Sequence, residues 1–150
     1  MISEYRVADL VPHSGRMSLL TSITGHGEDR LTAQVVITKD SMFADSTGVP
    51  SWVGLEYLAQ AIGAFAGLQE RLNGGAPKLG FLLGTRKYLC STDYFLPGDR
   101  LELTVIRNMQ AENGLSAFDC TLQGNGYTAS ASLNVFQPED AEQFLQGASE

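Results

Sequence analysis

Glu56 is the residue with the clearest chemical potential in this sequence. It is the only charged residue between Asp45 and Glu70, and it lies in a long apolar segment that predicts a helix. Because removing an unpaired carboxylate from water is costly, Glu56 must find a partner, become protonated or face a cavity. The alternative is a surface glutamate in an exposed notch of the helix. Gln60 lies one turn further on the same face and could hydrogen-bond the carboxyl group or a substrate, or be solvent-exposed.

The two histidines have different surroundings. His26 lies in a Gly-His-Gly-Glu sequence, which predicts a solvated turn. His13 follows a proline and precedes Ser14-Gly15, in a loop that could be held in place and aim its imidazole at a substrate. A hydrogen-bonded structural role for His13 is the alternative. Of the two histidines, His13 is therefore the candidate for a functional role.

Motifs for other kinds of chemistry are not found in the sequence. Cys90 and Cys120 are isolated, with neither a CxxC pair nor a histidine at ligand spacing, so they predict buried thiols. P-loop and G-x-S-x-G motifs are also missing. We expect no metal and no cofactor.

The composition indicates one globular domain covering residues 1–150, long enough to bury a core. A net charge of −7 and a pI near 4.7 argue against nucleic acid or an anionic membrane as a partner. The N-terminal segment lacks the pattern of a secretory signal, and the apolar residues 52–68 are too few and too polar to span a bilayer. These features predict a cytoplasmic protein.

The elements that must position these residues are one long helix and several strands. Glycine and proline positions predict a short helix over 3–10, a long helix from an N-cap at Ser51 to about Leu72, and a short helical segment over 139–145. Apolar alternation predicts a hairpin over 17–24 and 31–38. The strands predicted after the long helix are 79–89, 100–110, 115–123 and 127–137. The helix is apolar on nearly all faces and needs burial all round. This pattern predicts an α+β fold in which an antiparallel sheet wraps around the helix.

Three blocks of the sequence resemble the hotdog-fold 3-hydroxyacyl-[acyl-carrier-protein] dehydratases, and most closely their divergent branch from aryl polyene biosynthesis clusters. The blocks are residues 10–20, with Pro12-His13, residues 49–63, with Glu56 to Gln60, and residues 95–99, with Pro97-Gly98-Asp99. The resemblance implies a hotdog fold with an antiparallel sheet around one long central helix. It also implies a dimer, a tunnel at the dimer interface, and loss of water from a 3-hydroxyacyl thioester to give a trans-2-enoyl thioester, in fatty-acid-like or aryl polyene biosynthesis.

The sequence departs from that family at the usual base. Fourteen residues before Glu56, where typical members carry His-Phe-Pro, it has Met42-Phe43-Ala44. In one interpretation His13 replaces the missing histidine and Glu56 is the acid. In the other, the chain is a non-catalytic or half-catalytic subunit that needs a related hotdog partner. A hotdog acyl thioesterase, using the same carboxylate to activate water, is a further alternative.

Dehydration requires a base at C2 of the substrate and an acid at the C3 hydroxyl group, which an imidazole and a desolvated carboxyl group can supply. Backbone N–H groups in the first turn of the helix could stabilise the thioester oxygen. The candidate substrate-binding residues are Phe43, Ser51, Trp52, Gly54 and Gln60.

The partner implied by the resemblance is an acyl carrier protein, which is acidic as a class, or coenzyme A. Four of the ten basic residues fall within 17 positions, namely Arg71, Lys78, Arg86 and Lys87. We expect Arg86 and Lys87 to contact the carrier protein, although solubilising charges at a strand end would look the same. The assembly is expected to be a homodimer or a heterodimer with a related hotdog chain.

Overall fold

A computed structural model describes residues 19–72, 81–112 and 114–136. In these ranges the chain forms eight strands and one helix. They are β1 (Ser22–His26), β2 (Arg30–Val36), β3 (Val49–Pro50), α1 (Val53–Leu72), β4 (Phe81–Cys90), β5 (Tyr94–Phe95), β6 (Arg100–Gln110), β7 (Leu115–Gln123) and β8 (Thr128–Phe136). His13 and the predicted helical segments over 3–10 and 139–145 lie outside the described residues.

Six strands form an antiparallel sheet in the order β1-β2-β6-β7-β8-β4, and β3 pairs with β5 in a separate two-stranded ribbon. β2, β4, β6, β7 and β8 confirm the predicted strands to within two residues, whereas β1 begins at Ser22, later than the predicted start at residue 17, which lies outside the described residues. Gly114 and Gly126, with φ of 95° and 86°, form the turns between β6, β7 and β8. Both turns were predicted from their glycines, which adopt positive φ at little cost.

The helix packs against one face of this sheet. Alternate residues of β2 and β6 are buried, among them Leu31, Leu103 and Val105, and α1 contacts β2, β6, β7 and β8. On the helix, Tyr57 and Phe65 are almost fully buried. This arrangement confirms the α+β architecture in which a sheet wraps around one long helix.

The helix is not buried on all faces in the single chain, contrary to the sequence prediction. Trp52 and Glu56 are exposed, and Ala59, Gly63 and Ala66, which follow on the same side of α1, are half-buried. The described strands that pack along α1 are β2, β6, β7 and β8 of the sheet, and they leave this side of the helix uncovered. No helix in the described ranges is long and apolar enough to cross a membrane.

His26 is not in a solvated turn, as the sequence suggested, because β1 extends through it. Its ring lies 6.0 Å from that of Phe65, and its Nε2 atom is buried with no hydrogen-bond partner within the described ranges. Burial lowers the pKa of His26 below its ordinary value of 6.5.

This burial predicts a loss of stability in mild acid. The unfolded chain binds the imidazole proton with its ordinary pKa of 6.5, whereas the folded chain binds it more weakly. The contribution of His26 to the stability of the fold is therefore complete above pH 6.5 and decreases as the pH falls below that value. Urea unfolding of the wild type and of His26→Phe is measured at about pH 7.5 and 5.5. The free energy of unfolding should decrease less on acidification in the variant than in the wild type. Equal losses in the two proteins would contradict the burial of His26.

Candidate active site

The first turn of α1 is held by backbone hydrogen bonds of Ser51. Its amide donates to the carbonyl of Asp93 at 2.9 Å. Its carbonyl accepts from the Gly54 amide at 3.0 Å and from the Tyr88 hydroxyl at 2.6 Å. Ser51 therefore anchors the turn through its backbone, and α1 begins at Val53, later than the side-chain N-cap predicted at Ser51 would place it.

Of the four backbone amides from Ser51 to Gly54, where donors to the thioester oxygen are expected, two are used within the fold. Ser51 and Gly54 donate to the carbonyls of Asp93 and Ser51. The amides of Trp52 and Val53 have no hydrogen-bond acceptor in the described part of the chain. Trp52 and Val53 therefore carry the donors that a thioester oxygen could use.

Gly54 has a packing role that the sequence did not reveal. It is buried, and an added Cβ would meet the Tyr88 hydroxyl, with Phe95 Cζ at 3.1 Å and Leu122 Cδ1 at 3.3 Å. Glycine therefore lets the start of the helix approach β4, β5 and β7 closely.

Phe43 and Trp52, both predicted to contact substrate, lie together at the surface. Their ring centroids are 5.7 Å apart, and the two residues are 45% and 58% exposed. Phe43 has a φ of 70°, which is unfavourable for a residue with a bulky side chain and is found mostly where the surroundings enforce it.

The loop that carries Phe43 is fixed by Asp45. Its Oδ1 accepts from the amides of Thr47, at 2.8 Å, and Gly48, at 3.2 Å, and its Oδ2 accepts from the Tyr94 hydroxyl at 3.1 Å. The two backbone hydrogen bonds hold the pKa of Asp45 below its usual range, so the carboxylate keeps these contacts at neutral pH. Asp45 was not predicted from the sequence, although the Asp-Ser-Thr-Gly pattern is typical of such a turn.

Glu56 lies one helical turn after Trp52, on the same exposed side of α1. In the single chain Glu56 is exposed, which is the surface position given above as the alternative to a partner, a cavity or protonation. No hydrogen bond or ion pair of Glu56 is found among the described residues. Phe43, Trp52 and Glu56 thus form an open surface of two aromatic rings and one carboxyl group, here called the Glu56 face.

Gln60 is directed into the fold. It is 9% exposed, and its Oε1 accepts from the Leu19 amide at 2.7 Å. This contact ties the segment before β1 to α1. The solvent-exposed alternative for Gln60 is therefore wrong.

The predicted basic residues lie only partly in the described regions. Arg86 and Lys87 belong to β4, the last strand of the sheet, and Lys87 is exposed.

Cys120 is buried, which raises the pKa of its thiol to about 12, and Cys90 is half-buried. Across the described ranges, no three His, Cys, Asp or Glu side chains lie close enough together to hold a metal ion.

A family model described as ApeP-like, ApeP dehydratase, matches residues 5–146. Among solved structures, the chain is similar to one from the dehydratase heterocomplex ApeI:P of Xenorhabdus doucetiae. The identity is 27% and the TM-score 0.83, over 93% of this chain and 95% of that chain. No curated protein matches the chain.

More distant structures share the fold. The chain is similar to the PaaI protein of E. coli, with 13% identity and a TM-score of 0.59 over 76% of this chain and 80% of that chain. It is also similar to a hypothetical thioesterase with coenzyme A from Streptococcus pneumoniae, with 10% identity and a TM-score of 0.61 over 77% and 84%. These likenesses concern the fold alone, and they agree with the hotdog architecture predicted from the sequence.

Proposed function

Because this chain belongs to the ApeP-like family of dehydratases, we propose that it removes water from a 3-hydroxyacyl thioester at the Glu56 face, completed by a second hotdog chain. The observation that carries this proposal is the exposure of Glu56 one turn after Trp52, whose exposed ring lies against that of Phe43. A carboxyl group that protonates a leaving hydroxyl group works best where water is excluded. The single chain leaves this group in water, so another surface must cover it.

The free edge of the sheet supports a second chain. β4 is ten residues long, lies at the end of the strand order and, among the described strands, pairs with β8 alone. Such a long edge is usually paired or covered. Leu89, near the end of β4, is 55% exposed and would be covered by a neighbour.

The reaction divides between a base and an acid. In the proposed mechanism the imidazole of His13 removes the C2 proton, and the carboxyl group of Glu56 gives its proton to the C3 hydroxyl group, which leaves as water. The electron pair of the C2–H bond forms the new double bond between C2 and C3. The proton taken by His13 then restores Glu56 through solvent. The Trp52 amide donates to the thioester oxygen while negative charge develops there.

The aromatic rings of the Glu56 face would contact the acyl chain. Phe43 and Trp52 offer apolar surface next to the reacting carbons. Gln60, Ser51 and Gly54 lie beneath this surface and support the residues that contact the substrate. We assign no metal or cofactor to the reaction, since a base, an acid and one amide donor account for it.

The partner proposed for the complex is a related hotdog chain, with a second copy of this chain as the alternative. The matched structure from Xenorhabdus is itself described as a dehydratase heterocomplex, which supports the first choice. The substrate carrier would be an acyl carrier protein, received by Arg86 and Lys87 at the edge of the sheet, or coenzyme A. Aryl polyene biosynthesis in the cytoplasm is the setting that we propose for the reaction.

Trp52 is the only tryptophan of the chain and lies on the Glu56 face, so its fluorescence tests this assembly. Binding of the second chain should shift its emission to shorter wavelength and protect it from iodide quenching. Sedimentation should show a dimer at micromolar concentration, and the dimer should convert a 3-hydroxyacyl thioester to the enoyl product. A monomer, or a dimer with fully quenchable Trp52, would contradict the two-chain site.

A further inference from the structure

We propose that Tyr88 is a positioning residue for the reaction: its hydroxyl group fixes the peptide between Ser51 and Trp52 so that the Trp52 N–H can donate a hydrogen bond to the thioester oxygen. The inference rests on the proposed function and adds to it a residue of β4 that does not touch the substrate.

The geometry of one peptide unit carries the argument. The Tyr88 hydroxyl donates to the Ser51 carbonyl oxygen at 2.6 Å, and the Gly54 amide donates to the same oxygen at 3.0 Å. The chain has no cis peptide bonds in the described ranges, so the N–H of Trp52 points opposite to that carbonyl. Fixing the carbonyl oxygen therefore fixes the direction of the Trp52 N–H, which has no acceptor within the described residues.

The same hydrogen bonds make this N–H a stronger donor. Two donors on one carbonyl oxygen polarise the peptide unit, and chained hydrogen bonds strengthen each other, by roughly 10–30% per bond. Burial raises the pKa of Tyr88 well above its ordinary value, so the hydroxyl group keeps its proton throughout the neutral range.

The position of Tyr88 is narrowly defined by its neighbours. Its hydroxyl group lies directly against Gly54, where no Cβ fits. Gly54 and Glu56 belong to the same turn of α1, and Trp52 lies one turn before Glu56. Tyr88 therefore connects the edge strand of the sheet to the start of α1, where the amide donor and the acid lie one turn apart.

The test compares Tyr88→Phe with a matched control, Tyr127→Phe. The Tyr127 hydroxyl also makes a 2.6 Å hydrogen bond, to Oδ2 of Asp99, and Tyr127 is also partly buried, with its ring stacked on Phe95. Both variants lose one short hydrogen bond, so their losses of stability should be similar. Dehydration of a 3-hydroxyacyl thioester is measured in the assembled dimer, together with the amide nitrogen chemical shift of Trp52.

Tyr88→Phe should lower kcat by roughly 10–100-fold with little change in KM. This is less than the loss typical of removing an oxyanion donor outright, because the amide remains but is less well oriented. The Trp52 amide signal should move in this variant only, and Tyr127→Phe should stay within about twofold of the wild-type rate.

A wild-type kcat in Tyr88→Phe, an equal loss in Tyr127→Phe, or an unmoved Trp52 amide would overturn the proposal. Failure of Tyr88→Phe alone to fold would also overturn it, because the hydroxyl group would then serve folding. Glu56→Gln separates this failure from that of the proposed function. If Glu56→Gln is inactive and Tyr88→Phe is fully active, only the role of Tyr88 is refuted.

Discussion

Glu56→Gln should abolish dehydration while leaving the fold intact. The amide fills the same volume but cannot give a proton to the C3 hydroxyl group. Because Glu56 is exposed in the single chain and has no hydrogen-bond partner among the described residues, its replacement should change the free energy of unfolding by no more than about 0.5 kcal/mol. The rate is measured with a 3-hydroxyacyl thioester in the assembled dimer, and stability by urea unfolding.

Glu102→Gln is the matched control, because Glu102 is an exposed carboxylate on β6 between the buried Leu101 and Leu103, and so on the face of the sheet opposite to the one that packs against α1. It makes the same chemical change and should keep the wild-type rate. Activity of Glu56→Gln comparable to that of Glu102→Gln would refute the assignment of Glu56 as the acid.

His13→Ala should lower the dehydration rate by roughly 10²–10⁴-fold, the loss typical of removing a general base. The prediction follows from the sequence, in which His13 is the candidate to replace the histidine implied by the resemblance to typical hotdog dehydratases at the position of Met42. The comparison variant is His26→Ala, since His26 packs against Phe65 on the β1 side of the fold. The rate of His26→Ala per folded molecule should be unchanged.

A structural role for His13 gives a different result. His13→Ala would then lose about 1 kcal/mol of stability and keep its rate per folded molecule. This outcome would favour the half-catalytic subunit, in which the partner chain supplies the base.

The strands and the helix could be predicted because their residues satisfy local rules. In β2 the buried Leu31, Ala33 and Val35 alternate with more exposed residues, and this alternation shows in the sequence. The glycines between β6, β7 and β8 mark turns that only a few residue types can form. The long run of apolar residues around Tyr57 predicts a helix whichever neighbours cover it.

The surroundings of single side chains depend on tertiary contacts and could not be predicted. His26 has glycines on both sides, which suggested a turn, but β1 continues through it and brings its ring to Phe65. Ser51 resembled a side-chain cap, whereas its carbonyl is held by a tyrosine 37 residues away in the sequence. The exposure of Glu56 also depends on which face of α1 the sheet covers, and no local pattern encodes that choice.

The most direct test of the proposed dehydratase follows two products at once. The purified chain, alone and with a related hotdog partner, is incubated with a 3-hydroxyacyl thioester, and the enoyl thioester and free thiol are quantified together. We predict that the assembled complex forms the enoyl thioester without releasing thiol, and that the same complex with Glu56→Gln forms neither. Release of free thiol without enoyl product, which is the reaction of a thioesterase, would contradict this function.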